Sequence, residues 1–190
     1  MKALRNRKTV RDIRSRGIPL QVLSNLLWAA CGVNRREGPF GISGRTAASA
    51  SNSQEIDLYV VLPEGAYRYD AIAHRLDLVA GGDLRALTIG PGQAGAAMSA
   101  PVHLVYIADV DRLANTSGCR EPGLRDPDVQ KSYYYVDTGL IAGNVYLFAA
   151  SYGLASWFHN CNKPALAAAL KLRADQRVLF GHTIGYPAKE

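Results

Sequence analysis

Cysteine is scarce and scattered in this chain. Cys31, Cys119 and Cys161 stand far apart in no C-x-x-C or Cys/His spacing, which argues against a disulfide framework and against a cysteine-built metal centre. Reduced thiols in a reducing compartment are expected. His74 and His103 also lack partners at ligand spacing, so they read as structural or surface histidines, and no metal is expected. A Ser/His/Asp constellation is missing too, and with it the side-chain nucleophile of a hydrolase. No apolar run reaches the roughly 18 residues of a membrane span, and the basic N-terminus leads into no apolar signal core. The expected location is the cytoplasm, a targeting segment ahead of Met1 being left open.

Acids are nearly absent from the first 16 positions, where Asp12 alone answers Lys2, Arg5, Arg7, Lys8, Arg11, Arg14 and Arg16. That cluster suits phosphate or acidic partners. Nucleic acid is not expected, because no zinc pattern, recognition-helix signature or aromatic-basic alternation accompanies it.

What is present suits one domain, 1–190, with a sizeable core, since 48% of the 190 residues are hydrophobic. The most informative stretch runs from Arg45 to Leu62. Ser49, Ser51, Asn52, Ser53 and Gln54 carry short donors and acceptors, and the interleaved Ala47, Ala48 and Ala50 leave room for a flat ligand against the backbone. On composition alone a solvated Ser/Asn-rich loop is the commoner outcome of such a run, and the rest of the chain decides between the two. Tyr59 to Leu62 then reads as a buried strand.

Elsewhere, Pro19 opens and Gly32 closes a helix carrying Val22, Leu23, Leu26, Leu27 and Ala30 at helical spacing. Ala66–Tyr69, His74–Leu78, Val102–Ile107 and Arg177–Pro187 read as strands. Gly90-Pro91-Gly92-Gln93-Ala94-Gly95 satisfies G-x-G-x-x-G, yet only Gln93–Ser99 is left as a helix before Pro101, too short for a dinucleotide-binding crossover. Asp109–Lys131 is polar with two prolines, the pattern of a lid or surface excursion. From Asp137 to Tyr152 comes a helix apolar nearly all round, which should be buried on all sides and so suggests a centre shared with a second subunit. Gly153 to Asn160 follows as an aromatic loop, and Asn162 with Pro164 opens a helix through Leu172.

In order, a basic Arg7-Lys8-Thr9-Val10-Arg11 motif, Arg45-Thr46-Ala47-Ala48-Ser49-Ala50-Ser51-Asn52-Ser53-Gln54 before a strand, Asp137-Thr138-Gly139 opening an apolar helix, Gly153-Leu154 after it, and a closing Gly185-Tyr186-Pro187 resemble the FMN-dependent nitroreductase superfamily over nearly the whole chain. The segments Leu26–Ala30, Arg45-Thr46 and Tyr67–Asp70 look closest to the branch that includes azoline-oxidising enzymes. The resemblance implies an α+β fold: three α/β/α layers around a central mixed, mainly antiparallel sheet, in an intertwined homodimer.

It further implies bound FMN, with NADH or NADPH as electron donor and hydride transfer through the flavin N5 to nitroaromatic or quinone-type acceptors in ping-pong turnover. The chemistry is then the cofactor's, and no catalytic side chain is expected. A flavin-dependent dehydrogenase or oxidase acting on a peptide azoline or small metabolite is the alternative. By motif, Arg7, Lys8, Thr9 and Arg11 would hold the phosphate and the pyrimidine edge of the ring. Ser49, Ala50, Ser51, Asn52 and Gln54 would line the flavin from the partner chain. Trp157, Phe158 and His159 would pack on the ring and offer a backbone N–H toward it, and Lys189 would reach the phosphate. Tyr133 and Phe158 are the substrate-side candidates. Ala48 stands where the family often has proline, and Glu190 where a second C-terminal cation is usual.

Overall fold

The computed structural model describes residues 1–93, 95–117 and 122–189. After a short helix α1 (Lys2–Asn6) and an extended run, Pro19 opens α2 (Leu20–Cys31), and Gly32 closes it with its N–H returned to the Trp28 carbonyl. A small ribbon, β1 (Val33–Arg35) with β2 (Gly44–Arg45), brings the chain to the Ser/Asn-rich stretch. A meander follows: β3 (Ile56–Leu62), β4 (Gly65–Asp70) and β5 (Arg75–Gly81). Then come β6 (Val102–Asp109), α3 (Val110–Ala114), α4 (Pro127–Tyr152), β7 (Ala155–His159), α5 (Lys163–Ala169) and β8 (Gln176–Gly185).

The large sheet has the order β5-β4-β3-β6-β8-β7, and every pairing in it is antiparallel, which narrows the mixed sheet expected. β6 is buried at all its positions because both faces of the sheet are covered there, so its run of apolar residues shows no alternation. Leu58, Val60, Leu104 and Tyr106 face a thick layer formed by α2 and α4. Tyr59, Val61, Val105 and Ile107 face a thinner one built on Leu166 and Leu170 of the α5 segment. This is the expected three-layer α+β arrangement.

Two local expectations are corrected. α4 starts at Pro127, not Asp137: Asp126 caps it, accepting from the Asp128 and Val129 N–H groups, with proline at the first turn. Tyr133–Tyr135 therefore lie within the helix, and α3 occupies part of the supposed lid. Residues 118–121, with Cys119, lie outside the described residues, as do Ala94 in the glycine-rich stretch and Glu190. Gly153–Asn160 is not a loop, since after Gly153 ends α4 in the left-handed conformation the chain enters the edge strand β7. Within one chain α4 is covered on one side, with Ile141, Ala142, Val145 and Ala149 buried and Val136 and Leu140 59% and 45% exposed, so the cover expected all round is not supplied by this chain alone.

Candidate functional site

The basic segment docks on the edge of the large sheet. β7 would otherwise leave its outward backbone groups unpaired, and the Ser156 carbonyl accepts from the Val10 N–H at 3.0 Å while the Phe158 N–H donates to Tyr146 Oη at 3.0 Å. Tyr146 Oη also pairs with Thr9 Oγ1 at 3.1 Å, so one tyrosine of α4 ties the basic segment to the aromatic strand. The guanidinium of Arg7 lies 5.5 Å from the Tyr146 ring centre and that of Arg11 5.7 Å from the Trp157 ring. Arg7, Lys8 and Arg11 are exposed, and among the described residues none of them is in an ion pair. The chain's last residues close on the same segment through the Ile13–Pro187 bridge and the Ala188 N–H to Asp12 carbonyl bond, bringing the exposed Lys189 alongside.

β7 sends its aromatic residues to different places. Trp157 is buried against Ile89 and Ala97, on the far side from α4. Phe158 is half-buried on the α4 side, 4.7 Å from the Phe180 ring, which continues to Tyr135 at 5.8 Å and Tyr134 at 4.9 Å. Tyr133 is half-buried but takes no part in that aromatic chain. His159 is committed within the fold: its Nδ1–H donates to the Asn160 carbonyl at 2.8 Å, leaving Nε2 to accept from Thr183 Oγ1 at 2.7 Å. Burial holds its pKa below the usual value. Beneath the strand, His182 bridges Tyr106 Oη at 2.8 Å and Ser156 Oγ at 2.6 Å, and burial pushes its pKa down to about 3, so the ring is neutral.

The Ser/Asn-rich loop sits elsewhere. Ile56, which leaves it, pairs with Ala108, whereas Ser156 lies level through Ile184 with Val102, at the other end of β6. At about 3.3 Å per residue the two clusters are roughly 20 Å apart along the sheet. The structure thus brings Arg7, Lys8, Thr9, Arg11, Trp157, Phe158 and Lys189 to one end of a protomer. Ser49, Ala50, Ser51, Asn52 and Gln54 are at the other.

Ser51, Asn52 and Gln54 all adopt positive φ, at 49°, 54° and 52°, a conformation that costs L-residues energy and must be held by its surroundings. The loop's own side chains do the holding. Gln54 Nε2 donates to the Ser43 carbonyl and to Asn52 Oδ1, its Oε1 accepts from Arg45 Nε at 2.6 Å, and its N–H donates to Ser49 Oγ. Asn52 Nδ2 reaches the Pro39 and Ile42 carbonyls. The Ala50 N–H donates to Asp137 Oδ2 at 2.9 Å, and Ser53 Oγ to Glu55 Oε2 at 2.6 Å. Of the stretch Ala47–Gln54, Ala48 is exposed, and Ser49, Ala50, Ser51, Asn52 and Gln54 are half-buried.

Tyr146, Arg45 and the Glu55–Asp137 pair are parts of these clusters to which the motif reading gave no role. Tyr146 could have been noticed as one of two polar residues in the run from Gly139 to Ala150.

Comparison with known proteins shows the family and the fold. The family model described as the nitroreductase family matches residues 4–186. A Methanocaldococcus jannaschii protein named as a nitroreductase is 31% identical over 160 residues, spanning 79% of this chain and 72% of its own. A crystal structure from Ralstonia eutropha JMP134, also named as a nitroreductase, is 36% identical with a TM-score of 0.86, covering 100% of this chain and 83% of that one. The NADPH:FMN oxidoreductase of Vibrio harveyi, at 19% identity and a TM-score of 0.64 over 98% of this chain and 68% of its own, shares the fold.

Proposed function

Since the chain belongs to the nitroreductase family, we propose that it is an FMN-dependent oxidoreductase, passing electrons from NADH or NADPH to nitroaromatic or quinone-type acceptors in a cleft shared by two copies of the chain. The carrying observation is the basic segment: exposed cations without acidic partners, gathered beside a hydroxyl and an aromatic edge, fit a phosphate monoester. Arg7, Lys8, Thr9 and Lys189 are assigned to the phosphate end and Arg11 to the pyrimidine edge of the ring. When bound, FMN supplies the two-electron chemistry. The chain's own residues bind and orient. The Tyr146 hydroxyl fixes the basic segment against β7, and the cation of Arg11 favours negative charge at the ring's carbonyl edge.

The shared cleft is supported by the spacing of the two clusters, because no single protomer gathers the phosphate end and the Ser49–Gln54 end around one ligand. It is supported also by the stripe Val136, Gly139, Leu140, Gly143 and Leu147 on α4, whose side facing away from the core carries apolar and small residues at helical spacing. A second copy laid on that stripe would bring its Ser loop toward the first copy's basic segment. Tyr133 and Phe158 are assigned to the acceptor side. Purified protein should be yellow, take up FMN in an equilibrium titration, and oxidise a nicotinamide in the presence of a quinone or nitroaromatic. Colourless protein that takes up no added FMN would overturn the reading.

A further inference from the structure

We propose that Glu55 and Asp137 are positioning residues for the Ser49–Gln54 loop, holding it through one proton shared between their carboxyl groups and not through a cation. The consequence for the ligand rests on the flavin reading above; the consequence for the loop does not.

Both side chains are out of water, Glu55 at 0% and Asp137 at 4% exposure. Each is tied to the loop: Asp137 Oδ2 takes the Ala50 N–H, and Glu55 Oε2 takes the Ser53 hydroxyl. Glu55 Oε1 is buried and has no donor among the described residues, and the Asp137 carboxyl lies near enough to raise the Glu55 pKa. Two carboxyl groups meeting in a dry site satisfy each other only with a hydrogen between them. The charged and titratable groups around the cavity that Asp137 lines come from every neighbouring element, and none replaces that hydrogen. Arg45 of β2 is engaged with Gln54 and the Cys31 carbonyl, Arg112 of α3 with Asp57, Asp109 and the Gln54 carbonyl, the Tyr69 hydroxyl of β4 with His74 Nδ1, and the Cys31 thiol of α2 is held protonated by burial. Neither arginine pairs with either carboxyl group among the described residues. Burial first, then Asp137, pushes the Glu55 pKa up to about 7, and burial raises that of Asp137.

Loss of the proton leaves two facing carboxylates, one of which holds the Ala50 N–H. The loop is strained at Ser51, Asn52 and Gln54, so weakening this tether lets it relax out of its left-handed conformation. In Glu55→Gln an amide N–H takes the place of the proton at every pH. In Asp137→Asn the amide keeps an acceptor for Ala50 and a donor for Glu55.

Two measurements on the full chain decide the matter. In apo-protein, the amide-exchange protection factors of Ala50 and Asn52, which already exclude the intrinsic pH dependence of exchange, should drop by about tenfold between about pH 5.5 and about pH 8.5, and should stay level in Glu55→Gln and in Asp137→Asn. With FMN as the probe, wild-type affinity should weaken relative to Glu55→Gln over the same range by a similar factor. The phosphate's own ionisation acts in both proteins and cancels in the ratio. Parallel pH profiles in wild type and both variants would overturn the shared proton. Failure of every protein to bind FMN at any pH would overturn the flavin reading, while the exchange data would still decide this proposal.

Discussion

The two ends of the protomer handle polar groups in opposite ways. At the β7 end, cations on extended backbone project from the surface with few internal partners, and their charge is available to a ligand. At the Ser-loop end, nearly every amide and hydroxyl is turned inward to hold a strained backbone, so a ligand placed there would meet the loop's outline more than its side chains. Residue type alone therefore does not say which groups face a ligand. An exposed arginine without an acid carries function by exclusion, whereas a Ser/Asn/Gln cluster can be its own scaffold.

If that contrast is right, truncation should separate stability from binding. Gln54→Ala removes three side-chain hydrogen bonds and leaves Arg45 short of a partner, so apo-protein stability should fall by roughly 3 kcal/mol in urea denaturation. A loss below about 1 kcal/mol would mean the loop is not internally braced. Arg7→Ala should act on the ligand alone, lowering FMN affinity by about 2 kcal/mol while leaving apo stability within about 0.5 kcal/mol of wild type. Unchanged affinity would remove Arg7 from the site.

The smaller expected effect is a pH dependence in which the two regions oppose each other. Burial depresses His182 and His103 from the usual 6.5 to about 3, so the unfolded chain binds more protons between those values and stability is lost as pH falls from 6.5. Glu55 is raised from 4.5 to about 7, so the folded chain holds the extra proton there and stability is lost as pH rises through that window. Between 4.5 and 6.5 the two slopes partly cancel, each group contributing at most about 1.4 kcal/mol per pH unit. Glu55→Gln should therefore steepen the loss of stability on acidification, and an unchanged slope in chemical denaturation would contradict the opposition.

Much of this fold is legible in the sequence where the physics is local. Pro19 and Gly32 bracket α2 because each suits its helix end, and the meander follows from short β-rich runs between turn residues. The first turns of α4 carry no apolar period, because Lys131, Ser132 and three tyrosines fill them, although Asp126-Pro127 is a helix-start signal. β7 looked like a loop because both faces of Ser156-Trp157-Phe158-His159 are covered, which erases the alternation that marks a strand. At the site, the basic segment was readable from charge alone. The inward turn of Asn52 and Gln54, and the meeting of Glu55 with Asp137 across distant parts of the chain, depend on tertiary packing that composition does not encode.

The central claim, that one chain's basic segment works with another's Ser loop, is tested most directly by complementation. A chain carrying Arg7→Ala and Arg11→Ala is mixed with a chain carrying Gln54→Ala, heterodimers are isolated through distinct tags, and FMN binding is titrated. A cleft shared between protomers pairs the intact basic segment of one chain with the intact loop of the other, so each heterodimer should recover one tight FMN site while both parent homodimers stay weak. If heterodimers form and no tight site appears, each site is built within one chain, and the shared-cleft account is wrong.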